Sequence, residues 1–200
     1  MVDRIVVVRH GETEWSRVGR HTGRTDIPLT PVGEQEASLA RLSLGGWTFR
    51  RVWASPLQRA TATATLAGYD PEIDATLMEW DYGEIEGRTN DEITAEAPGW
   101  SKWIDEVPGG EHVSEVGDRA DAFLARVAGE AIDGDALVFA HGHLLAVLIA
   151  RWLGLPAGEG RRFPLTTGSI SVLSSKRDDR VLHQLNHRCG DELDAAVAVD

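Results

Sequence analysis

Two hundred residues, 42% of them apolar and 26% charged, suffice for one domain with a sizeable core. A formal net charge of −12 makes nucleic acid and anionic membranes poor partners. The single cysteine, Cys189, excludes an intramolecular disulfide, and the apolar run after Arg4 is too short for a signal peptide or a bilayer span, so the expectation is a soluble cytoplasmic protein.

Ile5-Val6-Val7-Val8 is β-branched and unbroken, the pattern of a strand buried on both faces. It runs into Arg9-His10-Gly11-Glu12-Thr13, and reactive groups in a parallel α/β sheet sit at such carboxyl ends. Glu14 to Leu29 reads as loop. Thr30 and Pro31 predict a helix start, with Val32, Leu39 and Leu42 as its apolar stripe and Gly45-Gly46 as its stop. Arg51 to Ala54 predicts a second strand. Ser55 to Gln58 has the spacing of a capping box with Pro56 in the first helical position, so a helix is expected from there to Gly68. Asp70 to Ala75 reads as a turn and a short strand. Leu77 to Gly87 is dense in acids and aromatics and fits neither helical nor strand period. Thr89 to Val107 predicts one or two short helices broken at Pro98-Gly99, with Trp100 and Trp103 on one face. Val113, Val116, Ala120, Phe123, Leu124 and Val127 mark an amphipathic helix. Asp135 to Ala140 predicts another buried strand, ending in His141-Gly142-His143, and Leu144 to Leu153 a buried helix. Ser169 to Ser174 and Val181 to Leu185 read as a closing pair of strands at the sheet edge.

Two of these strands end alike, in Arg9-His10-Gly11 and in His141-Gly142-His143. In a parallel sheet both ends share one edge, and the junction after Ala54 brings Arg59 to it. Two arginines and two histidines around one point suit a dianionic phosphoryl group, because the guanidinium fork matches phosphate oxygens. Taken singly, the arginines also read as surface charges and His10 as a hydrogen-bonded core histidine. His141 and His143 have the spacing of a metal pair on a strand, yet no third ligand accompanies them and no metal is expected. His112, His183 and His187 have no clear partners.

The chain resembles the histidine phosphatase superfamily, with its phosphoglycerate-mutase-like fold, over roughly residues 4 to 188. The parts occur in the family's order: Arg9-His10-Gly11-Glu12-Thr13, Thr22-Gly23 before Pro28-Leu29-Thr30, Ser55-Pro56 with Arg59-Ala60, Glu79 within Leu77 to Gly87, and His141-Gly142. The resemblance implies an α/β protein, a three-layer α/β/α sandwich around a mainly parallel sheet. It places a single domain at 1–188, a small lid at about 76–112 over the carboxyl edge, and a tail at 189–200. It also implies roles. His10 is the nucleophile that becomes phosphorylated, Arg9, Arg59 and His141 hold the phosphoryl oxygens, and Glu79 protonates the leaving oxygen and then helps water attack. Glu84 and Glu86 are rivals for the last role. Ser16, Thr22, Gly23, Tyr82 and Gly142 match positions that contact phosphate or substrate. No cofactor is implied, and the partner is a small phosphomonoester, with a homodimer left open.

The resemblance covers both phosphatases and cofactor-dependent mutases. The mutases carry basic residues on the insertion after the Glu79 segment, whereas here Trp80 follows Glu79 and residues 89–118 contain one basic side chain, Lys102. Asp91, Glu92, Glu96, Asp105, Glu106 and Glu111 make that stretch acidic, a sign expected to repel a bisphosphorylated cofactor. A metal-independent phosphatase is therefore expected, similar to the acid phosphatases and sugar bisphosphatases of the family. A mutase is the alternative, and a non-catalytic phospholigand-binding protein a further one. Trp80, Tyr82, Trp100 and Trp103 read equally as core or as walls of a substrate cleft.

Overall fold

The computed structural model describes residues 2–130, 132–177 and 179–188. Strands β1 (Val2–Arg9), β2 (Phe49–Ala54), β3 (Glu72–Ile73), β4 (Gly134–Ala140), β5 (Ile170–Lys176) and β6 (Asp179–His187) form one sheet in the order β3-β2-β4-β1-β5-β6. The first four in that order run parallel, while β5 lies antiparallel to β1 and β6 antiparallel to β5. Only β6 of the closing pair is an edge, because β5 pairs on both sides.

Alternation along β1 builds the two cores. Val6 and Val8 pack with Ala40, Leu44 and Ala64, from α2 (Pro31–Leu44) and α3 (Gln58–Leu66). Ile5 and Val7 join the opposite core, formed by α5 (Val113–Gly129), α6 (Gly142–Trp152) and residues of the 77–107 stretch. The sheet is covered on both faces, as its unbroken apolar run requires. All six apolar positions expected on α5 are buried. Each valine, leucine or phenylalanine among them contributes about 1.5–3 kcal/mol. His112 caps this helix, its ring Nδ1 accepting from the Ser114 N–H.

Three expectations are corrected. Glu14 to Leu29 is not all loop: α1 (Glu14–Arg17) is a short helix closed by a Thr13–Ser16 capping box. In α2, Val32, Leu39 and Leu42 face solvent, and Gly33, Ala37, Ala40 and Leu44 are buried. The small-residue face wins because this helix crosses close to the loop after β1: a Cβ on Gly11 would lie 2.2 Å from the Gly33 carbonyl oxygen. Finally, α3 begins at Gln58 with no cap from Ser55. Asp26 supplies the cap from a distant loop, its carboxylate accepting from the Gln58 N–H at 2.8 Å.

Residues 76–112 hold two 3-10 turns (Ala75–Leu77 and Gly83–Ile85) and α4 (Asn90–Glu96). Trp80 and Trp103 pack edge to face in this segment, at 5.4 Å between ring centroids. Trp80 is fully buried and Trp100 packs against the core, so these tryptophans are structural.

Candidate active site

The ends of β1 and β4 lie side by side, Arg9 opposite Ala140, and this register brings His10 next to His141 with ring centroids 5.2 Å apart. The His10 N–H donates to the Ala140 carbonyl. Its ring Nδ1 lies 2.7 Å from the Gly11 carbonyl oxygen, which can only accept, so Nδ1 carries the proton and Nε2 the lone pair. Burial, reinforced by Arg9 and Arg59, holds the His10 pKa well below the usual imidazole range. The ring is therefore neutral, with an Nε2 lone pair of the kind that nucleophilic catalysis requires.

Arg9 donates to the Leu165 carbonyl, and its buried Nε has no partner among the described residues. Most of its fork is unspent, and it faces a cavity of about 240 Å³. Arg59 is placed differently. It is fully buried, with Nε donating to His141 Nδ1 and its other nitrogens to the carbonyls of Thr22, Gly23 and Thr25. Burial lowers the pKa of both guanidinium groups, and Glu79 pushes the other way.

His141 precedes the first residue of α6 without capping it, and both of its ring nitrogens are occupied. Nδ1 accepts from Arg59, so Nε2 holds the proton and donates to Ser55 Oγ at 2.7 Å. Ser55 thus serves the site rather than capping α3, a role its helix-start spacing conceals. Burial and the neighbouring arginines hold His141 neutral too.

Glu79 accepts from three backbone N–H groups, those of Trp80, His143 and Leu144. Two of these belong to the first turn of α6, a place that favours anions. Its carboxylate reaches the cavity that His10 and Arg9 line. The rivals do not. Glu84 is exposed, and Glu86 is spent on the N–H groups of Arg24 and Thr25.

Of the expected contact residues, Ser16, Thr22 and Tyr82 line the cavity with Arg9, His10 and Glu79. Gly23 and Gly142 lie behind it. A Cβ on Gly23 would meet the Trp80 carbonyl at 2.5 Å, so glycine is required there, whereas one on Gly142 would press on the Arg9 guanidinium at 3.1 Å and shift it. The Tyr82 hydroxyl and His143 Nδ1 are hydrogen-bonded, and burial raises the Tyr82 pKa well above the phenol range. Burial and the nearby Lys102 hold His143 neutral.

Six further residues line the cavity: Gly19, Arg20, His21, Asn90, Lys102 and His143. The signal for Lys102 was its sign, as one cation in an acidic stretch. The acids expected to repel a bisphosphorylated cofactor do not line the cavity. Asp91, Glu92, Glu96 and Glu106 point to solvent and Glu111 is paired with Arg119, while Lys102 is buried and turns inward. Net charge along a segment does not describe the field on its inner side.

Residues 5–188 match the histidine phosphatase superfamily (branch 1). The chain is similar to an acid phosphatase of Mycobacterium tuberculosis, 41% identical over 90% of each chain. It is similar to a probable phosphoglycerate mutase, GpmB, of Salmonella choleraesuis, 35% identical over 84% of this chain and 82% of that one. A sedoheptulose 1,7-bisphosphatase of Saccharomyces cerevisiae is 34% identical over 78% of this chain and 69% of its own.

Proposed function

The chain belongs to the histidine phosphatase superfamily, and from that membership we propose that it hydrolyses the phosphomonoester of a small phosphorylated metabolite, such as a sugar phosphate or bisphosphate, through a phosphohistidine at His10. The observation that carries the reading is the neutral His10 ring, its Nε2 lone pair set beside the unspent fork of Arg9 in one cavity.

In the first half-reaction, Nε2 attacks phosphorus and the bond to the leaving oxygen breaks. Arg9 holds the phosphoryl oxygens, and Glu79 gives the leaving oxygen its proton. In the second, water attacks the phosphorus and yields a proton to Glu79. The N–P bond breaks, the Nε2 lone pair is restored and phosphate leaves. Arg59 and His141 support this from behind: Arg59 fixes the 22–25 loop, and together they keep the positive field on the phosphoryl site. For His141 to reach a phosphoryl oxygen directly, its Nε2 proton must turn away from Ser55.

Residues 76–112 serve as the lid, since Glu79, Tyr82, Asn90 and Lys102 all line the cavity. The partner is the phosphomonoester itself, rather than nucleic acid or membrane, and the acidic charge and single cysteine fit the cytoplasm. No helix among the described residues is long and apolar enough to cross a membrane.

The mutase reading is favoured by the similarity to the probable mutase. One assay separates the two. Phosphate release is measured with chelator present, on p-nitrophenyl phosphate, 3-phosphoglycerate, sugar monophosphates and sugar bisphosphates, for wild type and His10→Ala. Interconversion of 3- and 2-phosphoglycerate with 2,3-bisphosphoglycerate is followed in parallel. Release by wild type, none by His10→Ala and no interconversion are expected. Dominant interconversion makes the protein a mutase, and a fully active His10→Ala removes the phosphohistidine.

A further inference from the structure

Among the described residues the Arg9 side chain makes one hydrogen bond, from Nη1 to the Leu165 carbonyl, and its buried Nε makes none. A guanidinium meets phosphoryl oxygens through a planar fork, so its direction matters as much as its charge. The Leu165 carbonyl therefore sets where the fork points. That carbonyl belongs to the loop 165–169 before β5, which grips the end of β1 in two more places. The Gly168 N–H donates to the His10 carbonyl, and the main-chain N–H of Arg9 to the Ser169 carbonyl. Among the described residues that line the cavity, none comes from this loop. It holds Arg9 from behind.

The loop is itself held from two sides. On α2, Glu36 accepts from the Thr167 hydroxyl at 3.0 Å and from the Glu12 N–H at 2.7 Å. On the edge strand β6, the side-chain oxygen of Asn186 accepts from the Thr166 N–H at 2.6 Å and from the Thr166 hydroxyl at 3.0 Å. Thr166 is the chain neighbour of Leu165. Asn186 reaches it through an irregularity in the sheet. Ile170 pairs with His187 and Val172 with Gln184, so Ser171 stands against both Leu185 and Asn186. The extra residue makes a β-bulge, a device that re-aims a side chain beside a site. The Asn186 backbone is left-handed there, with a φ of 54°, and its N–H is taken by the Ser171 hydroxyl. Asparagine tolerates this conformation better than most residues, and its short amide can turn back on nearby main chain. Strained backbone of this kind persists where its surroundings fix it, and it gathers at functional sites.

Resting on the phosphatase reading above, we propose that Asn186 is a positioning residue for Arg9. Its side-chain oxygen pins Thr166, Thr166 sets the Leu165 carbonyl, and that carbonyl aims the guanidinium at the phosphoryl oxygens. Asn186 does not line the cavity, so its effect on turnover passes through Arg9. With the amide removed, Arg9 keeps its charge and loses its direction. The loss falls on the transition state and its pentavalent analogues, in which the equatorial oxygens must be met together.

Asn186→Gly and Asn186→Asp separate the oxygen from the backbone. Glycine keeps the left-handed conformation without an acceptor, and aspartate keeps both. Each is made in the wild type and in Arg9→Lys, whose ammonium is a point charge with no fork to aim. The readouts are kcat/KM for p-nitrophenyl phosphate and the affinity for orthovanadate. In the wild-type background Asn186→Gly is expected to lower both by about ten- to a hundredfold, the size of effect that a misplaced group causes. In Arg9→Lys the same substitution is expected to change them by less than about twofold, because the two residues act as one unit. Asn186→Asp is expected to stay within about threefold of wild type, since it supplies the same acceptor. Thr166→Val leaves β6 untouched and removes one of the two bonds, so it covers the case of an Asn186→Gly that does not fold. Its expected loss is about threefold, with the same dependence on background. Equal losses in the two backgrounds overturn the proposal, because they make Asn186 a support of the fold rather than of Arg9. So does an Asn186→Gly as active as wild type, and so does an Asn186→Asp as impaired as Asn186→Gly. If the wild type does not hydrolyse p-nitrophenyl phosphate, the phosphatase reading fails instead. Calorimetric titration with orthovanadate then decides the positioning role by the same comparison of backgrounds, and a wild type that binds no vanadate overturns that role as well.

Discussion

The nucleophilic role proposed for His10 depends on one main-chain oxygen. The Gly11 carbonyl fixes the tautomer, and burial beside two guanidinium groups keeps the ring unprotonated. A nucleophile with an ordinary imidazole pKa loses activity below pH 6.5. Here the loss is displaced downward, so kcat/KM for p-nitrophenyl phosphate is expected to show no imidazole limb at 6.5. A limb there in the pH profile contradicts the buried neutral ring. At this scale the placement of Arg9 and His10 was legible from strand-end position, whereas Glu79 was reached only through the family resemblance, because its segment has no strand or helix period. The role of Ser55 was not legible. Its spacing to Gln58 spells a helix cap, and only the fold turns its hydroxyl to His141. Ser55→Ala removes the acceptor of a buried N–H, a loss of about 1–3 kcal/mol measurable by denaturant unfolding.

Helix α3 shows how an element is set by a residue far from it. Asp26 caps it through Gln58, and Arg59 in its first turn ties the 22–25 loop. Asp26→Ala is expected to cost about 0.5–2 kcal/mol, as other caps do. It should also lower kcat, since the same loop carries Thr22 into the cavity. An unchanged melting temperature would argue against the cap. For α2 the apolar positions pointed to one face and the small residues to the other. The sheet took the small-residue face because the helix start lies against the loop that carries His10. A Cβ on Gly33 would sit 2.1 Å from the Glu12 carbonyl oxygen, so Gly33→Ala is expected to destabilise by about 1–3 kcal/mol and impair activity together. Normal stability and turnover in that variant would refute the contact.

The whole molecule carries a cluster of neutral histidines, of which His10, His21 and His141 are buried and His143 is half-buried. Each is protonated more readily in the unfolded chain than in the fold. Stability is therefore full above the unfolded pKa near 6.5 and is lost as pH falls below it. His21, brought down to about 4, alone accounts for roughly 3 kcal/mol across that window. The melting temperature should drop steadily between pH 6.5 and 4, and a flat profile would show that the cluster is hydrated. The acid side thus couples to the site itself, since His10 and His141 belong to the same cluster.

Periodicity and strand-end residues were enough to specify a mainly parallel α/β sheet, the amphipathic helix α5, the buried helix α6, and the edge where Arg9, His10 and His141 meet. These follow from local rules, in which a buried strand must be apolar and its carboxyl end must carry the chemistry. The buried face of α2, the source of the α3 cap, the hydroxyl partner of His141 and the inward turn of Lys102 were decided by tertiary structure. Each is a choice between two sides of an element or among donors distant in sequence. The order of residues along a chain does not state which side faces in; the packing of one element against another does.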